Sequence, residues 1–187
     1  MEPLVTVFLY LLNTAVSFFC VFFLLRFVMQ WQRISFGNQL GGFVFKLTDW
    51  AVNPLRRGIP GFGGLDWSSL FACFLLLLLY HGLLFAIDRI GFLCVGPCTG
   101  TRVLLLLWLT FLAFLHMVVY LCMGVILLDA ILSWMNPYSP LAQPLRQLAR
   151  PLLAPVRRLI PPISGVDLSP LVALVCLQAI LIVLPRT

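Results

Sequence analysis

The chain has 187 residues, 62% of them hydrophobic and only 10% charged, with a mean hydropathy of +1.08 and a net charge of +6. A water-soluble domain carries about 25% charged residues, so this chain cannot cover the surface of a soluble fold. It reads as an integral membrane protein.

Four stretches carry no charge: Pro3–Leu25, Trp67–Ile87, Val103–Leu128 and Leu168–Pro185, of 23, 21, 26 and 18 residues. One crossing takes about 20 apolar residues, each rising about 1.5 Å. The expected fold is all-α and polytopic, with four transmembrane helices at residues 4–30, 67–87, 103–132 and 168–185. The first run lacks a basic leader and is read as a retained helix rather than a cleaved signal. The third exceeds the length needed, so that helix is expected to tilt.

Between the first two runs lie Arg33, Lys46, Arg56 and Arg57; between the last two lie Arg146, Arg150, Arg157 and Arg158. The middle loop has only Arg89 and Arg102. Basic loops stay inside, which puts both long loops in the cytoplasm and both termini outside. Cys94 and Cys98 in "CVGPC" fall in the outward loop, where a disulfide or two free thiols are both open. Cys20, Cys73, Cys122 and Cys176 sit in apolar runs as small hydrophobes.

Two polar phrases interrupt the apolar text. "PLRRGIPGFGGLDWSSL" starts at Pro54 and "PVRRLIPPISGVDLSPL" at Pro155, an offset of 101. It aligns Pro54, Arg56, Arg57, Pro60, Gly64 and Asp66 with Pro155, Arg157, Arg158, Pro161, Gly165 and Asp167. Upstream, "LLRFVMQW" matches "LLDAILSW" at offset 103. The chain is therefore two copies of one unit, helix, basic segment, Pro-Gly turn, helix. Residues 1–90 form the first copy, 91–102 an outward loop and 103–187 the second. Each copy crosses twice, so the copies are parallel repeats.

From Leu145 to Ile160, Leu145, Leu148, Leu152, Val156 and Leu159 share one helical face and Arg146, Arg150 and Arg157 the other. That pattern predicts an interfacial helix, apolar side in lipid and arginines at headgroups. Pro151 and Pro155 are expected to divide it into two kinked pieces. In the first copy Leu47, Trp50 and Ala51 offer the matching apolar side. Ser169 followed by Pro170 reads as the cap and first residue of the last helix, with Ser68 the cap in the first copy. Asp66 and Asp167 favour those helix starts electrostatically, and could also pair with Arg57 and Arg158. Arg56, Arg57, Arg146, Arg150, Arg157 and Arg158 suit anionic lipid phosphates, or a specific partner.

The strings "ILSWMNPYSPL" and "RPLLAPVRRLIPPISGVDLSPL", with the degenerate first copy, resemble the YggT family of small bacterial and plastid membrane proteins. The resemblance covers nearly the whole chain. It implies a multi-pass protein of the bacterial inner (plasma) membrane with periplasmic termini, or a thylakoid one in plastid relatives, and loose associations with osmotic stress tolerance, cofactor-protein assembly, and division or nucleoid organisation. It implies no reaction and no catalytic residues.

Arg26 and Asp129 occupy equivalent positions near the inner ends of helices one and three. Opposite charges there could form a bridge joining the copies; separate snorkelling is the plainer reading. His81 and His116 are the histidines. They lie about 9 Å and about 20 Å from the outer helix ends, too uneven for shared haem, and read as hydrogen-bonded packing residues. No metal-ligand spacing, catalytic constellation or phosphate loop appears, so neither cofactor nor enzyme activity is expected. The expected function is a membrane-embedded interaction or assembly factor, binding anionic lipid and an unidentified membrane protein but not nucleic acid, with homo-oligomers left open. The alternative is a small oligomeric transporter or channel.

Overall fold

The computed structural model describes residues 2–58, 61, 65–87, 99–136, 138–159 and 167–185. Their regular structure is six α-helices: α1 (Glu2–Trp31), α2 (Gln39–Gly58), α3 (Trp67–Ala86), α4 (Thr99–Met135), α5 (Ala142–Leu159) and α6 (Ser169–Val183). Three contain stretches long and apolar enough to cross a membrane: Pro3–Trp31, Trp67–Ala86 and Gly100–Met135. The fourth expected span is shorter. Its 15 residues rise about 22 Å, against about 30 Å of hydrocarbon.

Helices α1 and α3 run antiparallel. Cys20 in the middle of α1 donates its thiol to the Cys73 carbonyl at 3.7 Å, while Phe27 near the end of α1 meets Trp67 at the start of α3. Helix α3 also packs on α4, and α4 on α6. The amphipathic α2 and α5 lie against the first helix of their own copy, α1 and α4 respectively, and against the second. The core joins Cys20, Phe23 and Met29 of α1 with Val44, Val52, Leu77, Ile126, Leu148 and Leu153. Leu4, Phe8, Leu104, Trp108 and Ile182 face outward, as lipid-facing side chains do.

A Schellman closure ends α1: Ile34 N–H donates to the Met29 carbonyl and Arg33 N–H to Gln30. Arg33 holds the left-handed position, φ 55°. Asn38 then starts α2, its Oδ1 accepting Gly41 N–H at 2.7 Å. Gly41 must be glycine, because a Cβ there would lie 2.6 Å from the Phe36 Cα.

The second basic segment differs from expectation in two ways. It forms one continuous helix through Pro151 and Pro155 rather than two pieces. Gln147, Pro151 and Pro155 share an exposed stripe, so the carbonyls deprived of donors face outward, where solvent or headgroups can satisfy them. Its apolar side is also not free for lipid: Leu145, Leu148, Ala149 and Leu153 are buried in the bundle, with Leu152 and Val156 against them, and Leu159 is exposed. The amphipathic pattern reports a face shielded from water, and here the shield is the protein. In α2 the buried face is Gly41, Val44, Thr48 and Val52, while Trp50 is exposed and edges onto Phe19. These four stand 101 residues before Ala142, Leu145, Ala149 and Leu153, which are all buried.

Candidate functional site

The end of the bundle where α1 meets α3 is held by charge. Arg26, in the last turns of α1, is 1% exposed. One of its terminal nitrogens donates to Thr48 Oγ1 at 2.9 Å, and the other lies 3.6 Å from Asp49. Its Nε lies 3.3 Å from Asp66 Oδ2 without hydrogen-bond alignment, so this contact is an ion pair. The guanidinium carbon stands 4.7 Å from the Phe45 ring centre. Asp66 in turn takes a two-pronged grip from Arg56, Nε to Oδ1 at 3.3 Å and the terminal nitrogen to Oδ2, and accepts Ser69 Oγ–H at 3.0 Å. Burial pushes the Asp66 carboxyl up, but the bonds from Arg56 and Ser69 and the charge of Arg26 outweigh it, holding the group below its ordinary value. The bond to Asp66 correspondingly raises Arg56.

The second copy repeats half of this. Arg157 Nε donates to Asp167 Oδ2 at 2.9 Å, and Asp167 Oδ1 accepts Ser169 N–H at 2.9 Å. Burial raises the Asp167 carboxyl, yet the bond from Ser169 N–H and the charge of Arg157 bring it below the usual range. In both copies the partner is therefore the arginine ten residues upstream, not Arg57 or Arg158. The caps move as well: Asp66 and Leu168 precede the helices, and Ser68 and Ser169 are inside them. Asp167 supplies the acceptor expected of Ser169, whose own Oγ is buried without a partner. Pro170 falls in the first turn, as expected. Pro60, Gly64, Pro161, Gly165, Cys94 and Cys98 lie outside the described residues.

Arg26 does not meet Asp129; Asp66 and Asp49 take its charge within its own copy. Asp129 is buried, 7% exposed, with no ion pair among the described residues. Sequence reading missed Asp49. The signal was present: Asp49 stands 101 residues before Arg150, as Arg26 stands 103 before Asp129. Both charges invert together between copies.

Arg57, Arg146, Arg150 and Arg158 are exposed and form no ion pair among the described residues. Two adjoining grooves run along α5. The first, 390 Å³, is lined by Gln143, Arg146, Gln147, Arg150 and Arg157. The second, 640 Å³, shares Gln147 and Arg150 and adds Arg33 and Arg158. Among the described residues no carboxylate lines either. Gln32, just past α1, donates to the Leu148 carbonyl at 3.3 Å, so the C-terminal end of α1 and the basic helix of the other copy sit at one end of the bundle.

His81 and His116 both line a 680 Å³ cavity between α1, α3, α4 and α6. Each ring is hydrogen-bonded, as expected of a packing histidine. Among the described residues, no cluster of His, Cys, Asp and Glu could hold a metal ion.

The CCB3/YggT family model matches residues 5–87 and 108–187. The chain belongs to this family. Similar to it are an uncharacterised Pseudomonas aeruginosa protein, 37% identical over 174 residues (92% of this chain, 85% of that one), and uncharacterised YggT of Escherichia coli K12, 34% identical over 172 residues (91% and 85%). An uncharacterised Vibrio alginolyticus protein is 32% identical over 170 residues, covering 90% and 88%. No solved structure matches the chain.

Proposed function

We propose that this family member is a membrane-embedded interaction and assembly factor whose arginine-lined end holds anionic phosphate headgroups and docks an acidic membrane partner there. The observation that carries the reading is the pair of grooves along α5. Five arginines line them, Arg33, Arg146, Arg150, Arg157 and Arg158, without a carboxylate, and of these only Arg157 has an ion pair among the described residues. Guanidinium forks match phosphate oxygens two at a time. Arg56, bound to Asp66, holds the fold instead.

In this reading the chain crosses an inner membrane four times as two parallel repeats, with the arginine end in the cytoplasm. The recurrent Arg56–Asp66 and Arg157–Asp167 pairs and the matching buried faces of α2 and α5 support it. The short α6 crosses where the bilayer thins around it. A role in osmotic tolerance or envelope and division organisation would act through the docked partner.

The test uses the full chain in nanodiscs of mixed phosphatidylglycerol and phosphatidylcholine, with retained lipid counted by native mass spectrometry. Phosphatidylglycerol should be enriched, and each of Arg146→Gln, Arg150→Gln and Arg158→Gln should cut the enrichment by up to about fivefold, from about 1 kcal/mol per arginine. Equal retention of the two lipids would overturn the reading. The second reading, a small oligomeric transporter or channel, is favoured by the polar cavity among the spans. Solute flux into proteoliposomes above that of empty vesicles would promote it.

A further inference from the structure

The cavity among the spans is built unlike its surroundings. At 680 Å³ it falls within the range of small-molecule sites, about 300–1,000 Å³. Its lining on α4 runs from Leu109 to Tyr120, roughly 16 Å of helix. Among the described residues no charged side chain lines it, yet Asn13, Ser17, Tyr80, His81, His116, Tyr120 and Gln178 all do. At this depth an unpaired polar group costs several kcal/mol. The chain nevertheless brings seven polar side chains from four helices to one place.

Hydrogen bonding fixes what the histidines offer. His81 Nδ1 lies 2.8 Å from the Leu77 carbonyl, and His116 Nδ1 lies 2.8 Å from the Leu112 carbonyl. A carbonyl only accepts, so each Nδ1 carries the proton, and in the neutral ring each Nε2 is a bare acceptor. Neither Nε2 makes a hydrogen bond among the described residues, and His81 is 6% exposed. Beside them stand Tyr80, ring centres 5.5 Å from His81, and Tyr120, 6.4 Å from His116.

The lining also obeys the repeat. Asn13 and His116 stand 103 apart, as do Ser17 and Tyr120; Leu77 and Gln178 stand 101 apart, as do His81 and Ile182. The cavity thus lies where equivalent faces of the two copies meet, but the equivalent side chains differ. A ligand there has one orientation rather than two. Asn13, Gln178 and Ile182 are exposed, so the cavity is open at its α1 and α6 walls.

We propose that this cavity binds a neutral amphiphile that presents two hydroxyl donors on an apolar frame, entering from the bilayer. Two histidine acceptors ask for donors, no charged side chain among the described residues lines the cavity to balance an ion, and Leu84, Leu109 and Met117 cover the apolar body. A hydroquinone-headed lipid and a monoacylglycerol both carry this chemistry. The site is independent of the arginine grooves.

The test titrates the full chain in nanodiscs with radiolabelled decyl-ubiquinol and, separately, 1-decanoylglycerol, each beside the analogue with both hydroxyls methylated. Saturable binding of at least one diol is expected, with its methylated analogue at least about tenfold weaker, because the ether then covers two acceptors without pairing them. The diol that binds more tightly identifies the source. His81→Leu and His116→Leu should each weaken binding at least about tenfold, while Arg158→Gln leaves it unchanged. No saturable binding of either diol, or equal binding of diols and their ethers by the unaltered chain, would overturn the proposal, and neither outcome depends on a variant that folds.

Discussion

The two copies carry the same aspartate in two different conditions. Asp66 is 1% exposed, gripped by Arg56 and set beside the buried Arg26. Asp167 is 39% exposed and pairs with an equally open Arg157. The difference traces to one inversion. Where the first copy places Arg26, the second places Asp129, so Asp167 has no buried cation to neutralise. A shared motif has become structural in one half and has stayed at the surface in the other. The first copy commits Arg26 and Arg56 to the fold, and the second leaves Arg146, Arg150 and Arg158 without an ion pair among the described residues.

Breaking the buried network should have the largest effect. Asp66→Ala leaves Arg26 without its main counter-ion and should cost about 3–5 kcal/mol, read as lost thermal stability in detergent or failure to accumulate in the membrane. Arg26→Met added to Asp66→Asn should recover much of that loss, since removing both charges is far cheaper than stranding one. Next comes Gly41→Ala, expected to cost about 1–3 kcal/mol by forcing a Cβ against the Phe36 backbone. The equivalent Ala142 already carries a Cβ, and Ala142→Gly should be milder, about 1 kcal/mol.

Acid separates the copies further. Both aspartates have folded pKa values below their unfolded value of about 3.9. Each therefore contributes stability that is fully present above about pH 5 and is lost as pH falls below about 4. Thermal unfolding followed from pH 6 to pH 3 should show this decline, and Asp66→Asn should flatten it more than Asp167→Asn. The smallest effect belongs to Asp167→Ala, expected to cost about 0–1 kcal/mol as a solvent-screened pair. A cost for Asp167→Ala equal to that for Asp66→Ala would erase the contrast.

Much of this was readable from the chain. Apolar runs long enough to cross are a composition signal, and α1, α3 and α4 follow them closely. The phrase repeat aligned Arg56 with Arg157 and Asp66 with Asp167, and the structure pairs both sets. Which arginine each aspartate chooses was not readable, because it depends on how the chain turns between Arg56 and Asp66. Arg26 reaches Asp66 only through the antiparallel packing of α1 on α3. The face of α5 was legible as apolar, but hydropathy cannot tell a neighbouring helix from lipid. The cavity escaped because its polar residues are scattered along four helices and meet only when helices of unequal length are assembled.

The central claim is that two like-oriented copies present their basic segments at one membrane face. Its most direct test replaces the native cysteines with alanine and introduces Arg57→Cys or Arg158→Cys singly in intact cells. A membrane-impermeant maleimide should label neither from the periplasm and both after the inner membrane is permeabilised. Labelling of one from the periplasm and the other only from the cytoplasm would contradict the account.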